Sequence, residues 1–192
     1  MSEKKPVIVQ QATDLSAIGG TTSEFNALKE SSLSEKYEIV PMVLPKVHKK
    51  ISLQDIRFYY DFLKKTRPDI VQIRGAAVDG LNAQIGARMV PGTKILVCVH
   101  GMFSELVYMS PIKRMMHEHI VEPIIFHMCD GISCVYKKGD ERHQLKKYKS
   151  KLLPCVYNRM PCIEDIPLED KAALRRELRI PAEAVVGVYC GR

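Results

Sequence analysis

Two turns carry the residues of this chain that are best suited to chemistry. Gly19 and Gly20 follow a first short apolar run at residues 7–9, and His100 follows a later one at residues 95–99. Each run has the composition of a buried parallel strand, and the loops after the carboxyl ends of parallel strands line one crevice in which ligands bind. We therefore expect the glycine turn and the histidine to lie at the same edge of one sheet.

The glycine turn suits a phosphate group. Gly19 and Gly20 allow a ligand to approach the backbone closely, and Thr21 and Glu24 have the spacing of a capping box that opens a helix. Free N–H groups and the positive end of the helix dipole at such a start attract a diphosphate. A tight turn without a ligand explains the two glycines equally well. The sequence has no G-x-G-x-x-G or P-loop motif, which disfavours NAD.

Apolar and amphipathic segments alternate along residues 1–158, which predicts a Rossmann-like α/β domain with a parallel sheet and helices on both faces. Strands are expected at residues 7–9, 37–43, 69–73, 95–99, 131–135 and 152–157. Helices are expected at residues 21–33, 52–65, 76–89, 111–129 and 138–147. Ser52 and Asp55 form a second capping box. Pro123 should kink or split the helix that contains it.

The pattern changes after residue 158. Residues 159–183 combine an irregular stretch containing prolines with a helix over 169–178, which indicates a linker and a connecting helix. Residues 184–192 form an apolar run that is typical of a buried parallel strand, and such a strand needs helices on both faces. We therefore expect this run to be the first strand of a second, truncated domain.

Composition argues against a disordered chain, a membrane-spanning helix and a disulfide framework. The chain has 192 residues, of which 46% are hydrophobic and 27% charged, and no apolar stretch reaches the roughly 18 residues that span a bilayer. Six cysteines without C-x-x-C spacing favour reduced thiols in the cytoplasm. A helical segment contains four possible zinc ligands, namely His117, His119, His127 and Cys129. They form two pairs, and the members of each pair are two residues apart. Residues two apart on a helix point to different sides, so no metal site is expected there.

Six segments, taken in order, resemble the retaining glycosyltransferases of the GT-B type that form glycosyltransferase family four (the "glycosyl transferase group 1" type). They are the N-terminal strand with its Gly-Gly turn, the strand Arg67–Ile73, the corner Val99-His100-Gly101, the segment Cys129–Val135, the segment Leu174–Leu178 and the terminal Gly187–Arg192. One departure is that Asn158 is followed by Arg159, where the family usually has glycine. The resemblance implies the N-terminal half of a GT-B fold, which is the acceptor-side domain.

The same resemblance implies a retaining hexosyltransferase that moves a sugar from a UDP- or GDP-linked donor to a saccharide or lipid-linked acceptor, as in polysaccharide biosynthesis. No cofactor or metal is expected, because helix dipoles and basic side chains stabilise the leaving diphosphate in this family. These 192 residues alone should be inactive. The alternatives are a GT-B-like sugar-nucleotide epimerase and a non-catalytic α/β module that binds anionic lipid or nucleic acid through a basic face.

The resemblance also implies roles for residues at the expected edge. The matching histidine of the family hydrogen-bonds the donor sugar, which makes His100 the catalytic candidate. The donor diphosphate would approach Gly19, Gly20 and Thr21. A cation after the third strand suits a phosphate or a uronic acid of the acceptor. The acceptor-binding candidates are Arg74, Gly101, Met102 and Phe103. A histidine satisfied by backbone groups and a loop packed on the next helix are the structural alternatives.

The charge of the chain is concentrated near its middle. Its formal net charge is +7, from 29 basic and 22 acidic residues. A solvated helix face is the simplest explanation, and a peripheral contact with the anionic cytoplasmic leaflet of a membrane is the functional one. Few aromatic residues interleave the cations, so nucleic acid is not an expected partner. We call these cations the basic patch: Lys137, Lys138, Arg142, Lys146, Lys147, Lys149 and Lys151.

Overall fold

The computed structural model describes residues 5–12, 20–45, 48, 50–157 and 167–187. The chain divides into two compact units, Met1–Asn158 and Arg159–Arg192. The first unit holds a parallel sheet of five strands in the order β2-β1-β3-β4-β5. The strands are β1 (Val7–Ala12), β2 (Glu38–Val43), β3 (Ile70–Arg74), β4 (Lys94–Val99) and β5 (Gly131–Cys134). This is the α/β, Rossmann-like fold that the alternating pattern predicts.

Helices connect successive strands of the described part of this unit. They are α1 (Gly20–Lys29), α2 (Leu33–Lys36), α3 (Leu53–Thr66), α4 (Val78–Arg88), α5 (Pro111–Met116) and α6 (Glu122–Met128). Short 3₁₀ segments cover Phe103–Glu105 and His143–Lys151, and a π-helical turn covers His117–Val121. None of the helices in the described ranges is long and apolar enough to cross a bilayer.

One face of the sheet forms the main core. Its side chains come from alternate positions of the central strands and are at most 1% exposed, as at Val9, Val71, Ile73, Ile95 and Val97. They cluster with apolar residues of α3, α4 and α6. Burial of this continuous apolar layer is the main force that holds the helices on the sheet.

The capping box predicted at Ser52 is present. The Ser52 side chain accepts a hydrogen bond of 3.2 Å from the backbone N–H of Asp55, and α3 begins at the next residue, Leu53. α3 then packs against α4 at a close approach. A Cβ atom added at Gly86 of α4 would lie 2.8 Å from both the carbonyl oxygen of Ile56 and the Cβ of Tyr59. Only a glycine allows this approach.

Several boundaries differ from the predicted ones. The helix expected at residues 111–129 is divided into α5, the π-helical turn and α6, because Pro123 has no N–H to donate and the turn before it widens. The helix expected at 138–147 is a 3₁₀ segment that begins at His143. The strand expected at 152–157 is reduced to one parallel bridge between Ile132 and Leu152. The first predicted helix begins at Gly20, which places Thr21 inside α1.

The second unit contains helix α7 (Leu168–Glu177). The guanidinium of Arg175 donates to the backbone carbonyls of Pro181 and Ala184, at 2.7 and 3.0 Å, and so fastens the chain that follows the helix. Residues 184–187 form no strand, and the Val185 side chain is fully exposed. Residues 159–166 of the predicted linker and residues 188–192 of the predicted strand lie outside the described residues.

The close approach of α3 and α4 gives a test by substitution. Gly86→Ala should lower the free energy of unfolding by about 1–3 kcal/mol, because the added methyl meets the backbone of α3. Glycine to alanine in an unhindered helix instead raises it by about 1 kcal/mol. Urea unfolding measures the difference. Gly101→Ala is the control, since no atom lies within 4 Å of its added Cβ. A more stable Gly86→Ala protein would contradict this packing.

Candidate active site at the carboxyl edge of the sheet

Three of the predicted site positions lie at one edge of the sheet. β3 is hydrogen-bonded to β1 on one side and to β4 on the other, all in parallel. The start of α1 at Gly20 follows β1, Arg74 ends β3, and His100 directly follows β4. Parallel strands that end together bring these groups to the same carboxyl edge. Gly19 lies outside the described residues, and only the backbone is described for Gly20 and Thr21.

An ion pair joins helix α1 to the end of β3. Arg74 Nη1 is 2.8 Å from Glu24 Oε2, and the exposed fractions of the two side chains are 9% and 30%. Glu24 belongs to the second turn of α1, which contacts β1 and β2. The sequence suggested only a capping role for Glu24, and no local signal pairs it with a residue fifty positions away. The pair places a buried cation and a half-buried carboxylate beside the start of a helix.

His100 is held at this edge as a neutral side chain. Its surface is exposed, yet desolvation by the surrounding edge lowers its pKa from the ordinary value of 6.5. The Glu24 carboxylate raises that pKa, and the Arg74 cation lowers it. A neutral imidazole has one N–H donor and one acceptor nitrogen. His100 can therefore hydrogen-bond a hydroxyl group without adding charge to the edge.

Glutamine side chains stiffen the strands beneath the edge. Gln11 donates to the Tyr59 hydroxyl at 3.1 Å, and its Oε1 accepts from the backbone N–H of Arg74 at 3.2 Å. On the other face of the sheet, Gln10 donates to Gln72 at 3.1 Å. Gln10 and Gln11 are not among the predicted site residues, although two polar residues at the end of an apolar strand are a usable signal. The bonds fix the backbone on which Arg74 is placed.

Cys98 extends the Gln10–Gln72 row to β4. Gln72 Nε2 donates to Cys98 Sγ at 2.8 Å. Burial raises the pKa of the Cys98 thiol, which the bond from Gln72 and the Arg74 cation oppose. A thiol that stays protonated is a poor nucleophile. Cys98 thus has a packing role at this edge, and the polar chemistry rests with Glu24, Arg74 and His100.

A sharp turn follows β3. Gly75 has φ +78°, in the left-handed region that favours glycine, and its N–H donates to the Cys98 carbonyl at 2.8 Å. A Cβ at Gly80 would lie 2.8 Å from the Gly75 carbonyl oxygen, so α4 also begins close to this turn. The two glycines keep the backbone above Arg74 free of side chains.

The loop after His100 is only partly open to a ligand. Gly101 is exposed, but the Met102 side chain is 2% exposed and belongs to the core. The Phe103 ring stacks on His117 with centroids 5.2 Å apart. Met102 therefore anchors the loop in the core and does not face a ligand as the acceptor role would need, whereas Phe103 is partly exposed. Gly101 is the candidate of this loop that stays accessible.

A second polar group follows β2. His48 Nδ1 lies 2.6 Å from Asp55 Oδ1, and Asp55 is 1% exposed. Asp55 also accepts from the Ser52 hydroxyl at 3.1 Å, and Asn82 accepts from the Ser52 N–H at 3.3 Å. The sequence pattern indicates Ser52 and Asp55 only as a helix cap. The group joins the β2–α3 connection to α4.

The group predicted not to bind a metal lies in the π-helical turn (His117 and His119), in α6 (His127) and directly after it (Cys129), and it forms no metal site in the described residues. No group of three His, Cys, Asp or Glu side chains lies close enough together to hold a metal ion there. His117 is buried against Phe103, and burial raises the pKa of the Cys129 thiol to about 11. His117 and Cys129 belong to the packing of the first unit, whereas His119 and His127 are exposed.

The basic patch is not a uniform set of free cations. Arg142 pairs with Glu105 at 2.9 Å and lies over the Tyr136 ring at 4.8 Å. Lys151 donates to the carbonyls of Phe126, His127 and Cys129. Arg142 and Lys151 thus have internal partners. The other five cations are exposed, namely Lys137, Lys138, Lys146, Lys147 and Lys149.

Comparison with known proteins adds to this geometry. No protein-family model and no curated protein sequence matches the chain. A putative UDP-N-acetylglucosamine 2-epimerase from Listeria monocytogenes superposes with a TM-score of 0.56 at 13% identity, over 78% of this chain and 44% of its own. A glycosyltransferase from Rickettsia africae gives 0.55 at 15% identity, over 94% and 51%.

S. aureus MnaA in complex with UDP gives a TM-score of 0.54 at 16% identity, over 77% of this chain and 42% of its own. The fold is shared. All three likenesses are to the same α/β, Rossmann-like architecture, and the chain spans about half the length of these solved structures, or less.

The electrostatic coupling at the edge is measurable. In an NMR pH titration, the pKa of His100 should lie below 6.5, and Glu24→Gln should lower it further, because the substitution removes the carboxylate that raises it. Near pH 6.5 the unfolded chain therefore binds a proton at His100 more readily than the folded protein does. The contribution of His100 to stability should therefore fall as the pH drops through 6.5. A pKa that does not change in Glu24→Gln would show that the carboxylate and the imidazole are not coupled.

Proposed function

We propose that this chain is the acceptor-side lobe of a two-lobed enzyme that acts on a nucleotide sugar. The observation that carries the proposal is the group Glu24, Arg74 and His100, which lies at the carboxyl edge beside the start of α1. Its support from comparison is the fold shared with a glycosyltransferase and with a UDP-bound protein. Since the chain spans about half their length, we propose that a second lobe supplies the nucleotide-binding surface.

The proposed reaction is transfer of a hexose from a UDP- or GDP-linked donor to a saccharide or lipid-linked acceptor. The N-terminus of α1 would face the diphosphate, because its N–H groups and dipole favour negative charge. The first turn of α1 carries no acidic residue that would oppose this. Neutral His100 would hydrogen-bond a hydroxyl of the donor sugar and hold the anomeric carbon in place. We propose no role for a metal or cofactor.

We further propose that the sugar is transferred with retention of configuration. The resemblance of the corner Val99-His100-Gly101 to the retaining family supports this proposal.

A nucleotide-sugar epimerase is the second candidate. The fold likeness to the Listeria structure supports it, and an imidazole beside a carboxylate has the groups that proton transfer at a sugar carbon needs. One experiment separates the candidates. The whole protein is incubated with UDP-N-acetylglucosamine and other UDP- and GDP-sugars, with and without saccharide acceptors, and the products are followed by NMR.

A new glycoside with the anomeric configuration of the donor would support retaining transfer, and the opposite configuration would contradict it. A changed sugar on an intact nucleotide, formed without acceptor, would support epimerisation. Binding of nucleotide sugar or of anionic vesicles without any turnover would instead favour a non-catalytic binding module.

His100 gives the sharpest test of the proposed transferase. His100→Ala should lower kcat by about 10²–10³-fold, because it removes a preorganised hydrogen bond at the reacting sugar. The fold should persist, since the side chain is exposed. His127→Ala, which removes another exposed histidine, is the matched control and should leave kcat unchanged. Normal turnover in the His100→Ala protein would remove this histidine from the mechanism.

We also propose that the exposed part of the basic patch docks the enzyme on the anionic inner face of a membrane. Each basic residue near such a surface contributes about 1 kcal/mol. The triple substitution of Lys146, Lys147 and Lys149 by Gln should therefore weaken binding to phosphatidylserine vesicles by about 100-fold in co-sedimentation. The control changes the same charge on α3, at Arg57, Lys64 and Lys65. Equal loss in both triple variants would mean that net charge, and not this patch, binds the vesicles.

A further inference from the structure

The Arg74 guanidinium is a buried charge with too few partners. Only 9% of the side chain is exposed. None of its three nitrogens has a hydrogen-bond partner among the described residues, and its contact with Glu24 is an ion pair through Nη1 without the direction of a hydrogen bond. A guanidinium has five N–H donors. Burying such a charge is costly unless hydrogen bonds to acceptors offset the loss of water.

Arg74 is held in place more firmly than Glu24. The backbone of Arg74 is held by Gln11, and the turn that follows it is held by the bond from Gly75 to Cys98. Glu24 is 30% exposed on α1, so its carboxylate can rotate towards solvent. Movement of Glu24 would therefore leave the cation in place and open to another anion.

We propose that Arg74 binds an anionic group of the acceptor, a phosphate or a carboxylate, and that Glu24 is the internal anion which this group displaces. The assignment of this anion to the acceptor rests on the proposed function, whereas the existence of an anion site at Arg74 does not. An anion with two or three oxygens meets the planar fork of arginine through paired N–H···O bonds, which a neutral hydroxyl group cannot match.

The surroundings favour one additional negative charge. His100 is neutral because its pKa is lowered, and the Cys98 thiol is protonated because its pKa is raised. Once Glu24 has turned away, Arg74 is the charged group of this cluster that faces the ligand. The N-terminus of α1, a helix of ten residues, adds a positive potential at the same edge.

The test is direct binding of small anions to the whole protein. Isothermal titration with inorganic phosphate and with glucuronate is carried out at constant ionic strength, so that the two probes distinguish phosphate from carboxylate. Glu24→Gln should tighten binding by about tenfold, because the Glu24 carboxylate no longer competes with the added anion for Arg74. Tenfold corresponds to the free energy of about one charge-assisted contact. Arg74→Gln should abolish binding. Arg74→Lys should weaken it, because an ammonium keeps the charge and loses the fork.

A matched control uses an ion pair with no buried cation. Arg57 and Asp61 of α3 lie 3.6 Å apart, with exposed fractions of 84% and 60%. Asp61→Asn removes the same type of charge as Glu24→Gln and should leave anion affinity unchanged. If Asp61→Asn tightened binding as much as Glu24→Gln, the effect would come from net charge and the proposal would fail. Thermal unfolding of each variant shows whether the fold is retained.

The outcomes separate this site from the proposed function. Equal affinities in wild type and Glu24→Gln, or binding that survives Arg74→Gln, would overturn the anion site even if the protein transfers sugars. Anion binding that follows the expected order in a protein without transferase activity would support the site and count against the transferase. In an active enzyme, the site further requires that Arg74→Lys raise KM for an anionic acceptor more than for a neutral one.

Discussion

The parallel pairing of β1, β3 and β4 is the constraint on which the rest of the first unit depends. In this register Gln10 lies opposite Gln72, and Arg74 lies opposite Cys98. A shift by one residue would turn every side chain to the other face of the sheet and would break the Gln10–Gln72 bond. The core fixes the register, because alternate positions of these strands supply its fully buried side chains. Apolar packing thereby determines which polar groups reach the carboxyl edge.

The groups at that edge act on one another through a poorly solvated environment. Arg74 lowers the pKa of His100 and opposes the burial that raises the pKa of Cys98, while Glu24 acts in the opposite sense on both. Such coupling is strong only where water is excluded. The edge therefore behaves as one electrostatic unit, and a ligand that replaces Glu24 at Arg74 would change the protonation of His100. Binding of an anion at Arg74 and hydrogen bonding of His100 to a sugar would then be linked through electrostatics alone.

Local sequence rules predicted the parts of the structure that local physics determines. The alternation of strands and helices, the cap at Ser52 and the edge positions of Arg74 and His100 all follow from patterns within a few residues. The pairing of Glu24 with Arg74 depends instead on how α1 packs on the sheet. The burial of Met102 likewise depends on distant elements. The π-helical turn before Pro123 escapes a search based on a period of 3.6 residues, because it accommodates an i to i+5 geometry.

The cations of the basic patch have different structural roles, although they are close together in sequence. Lys151 donates to three carbonyls at the end of α6, where helix carbonyls lack partners within the helix, and so joins the 3₁₀ segment His143–Lys151 to the end of α6. Arg142 anchors the start of that segment through Glu105. The remaining lysines are then held on a segment fixed at both ends. Since this segment follows β5 and the Glu24–Arg74 pair follows β1 and β3, the membrane and sugar-transfer proposals rest on separate residues, and either could fail without the other.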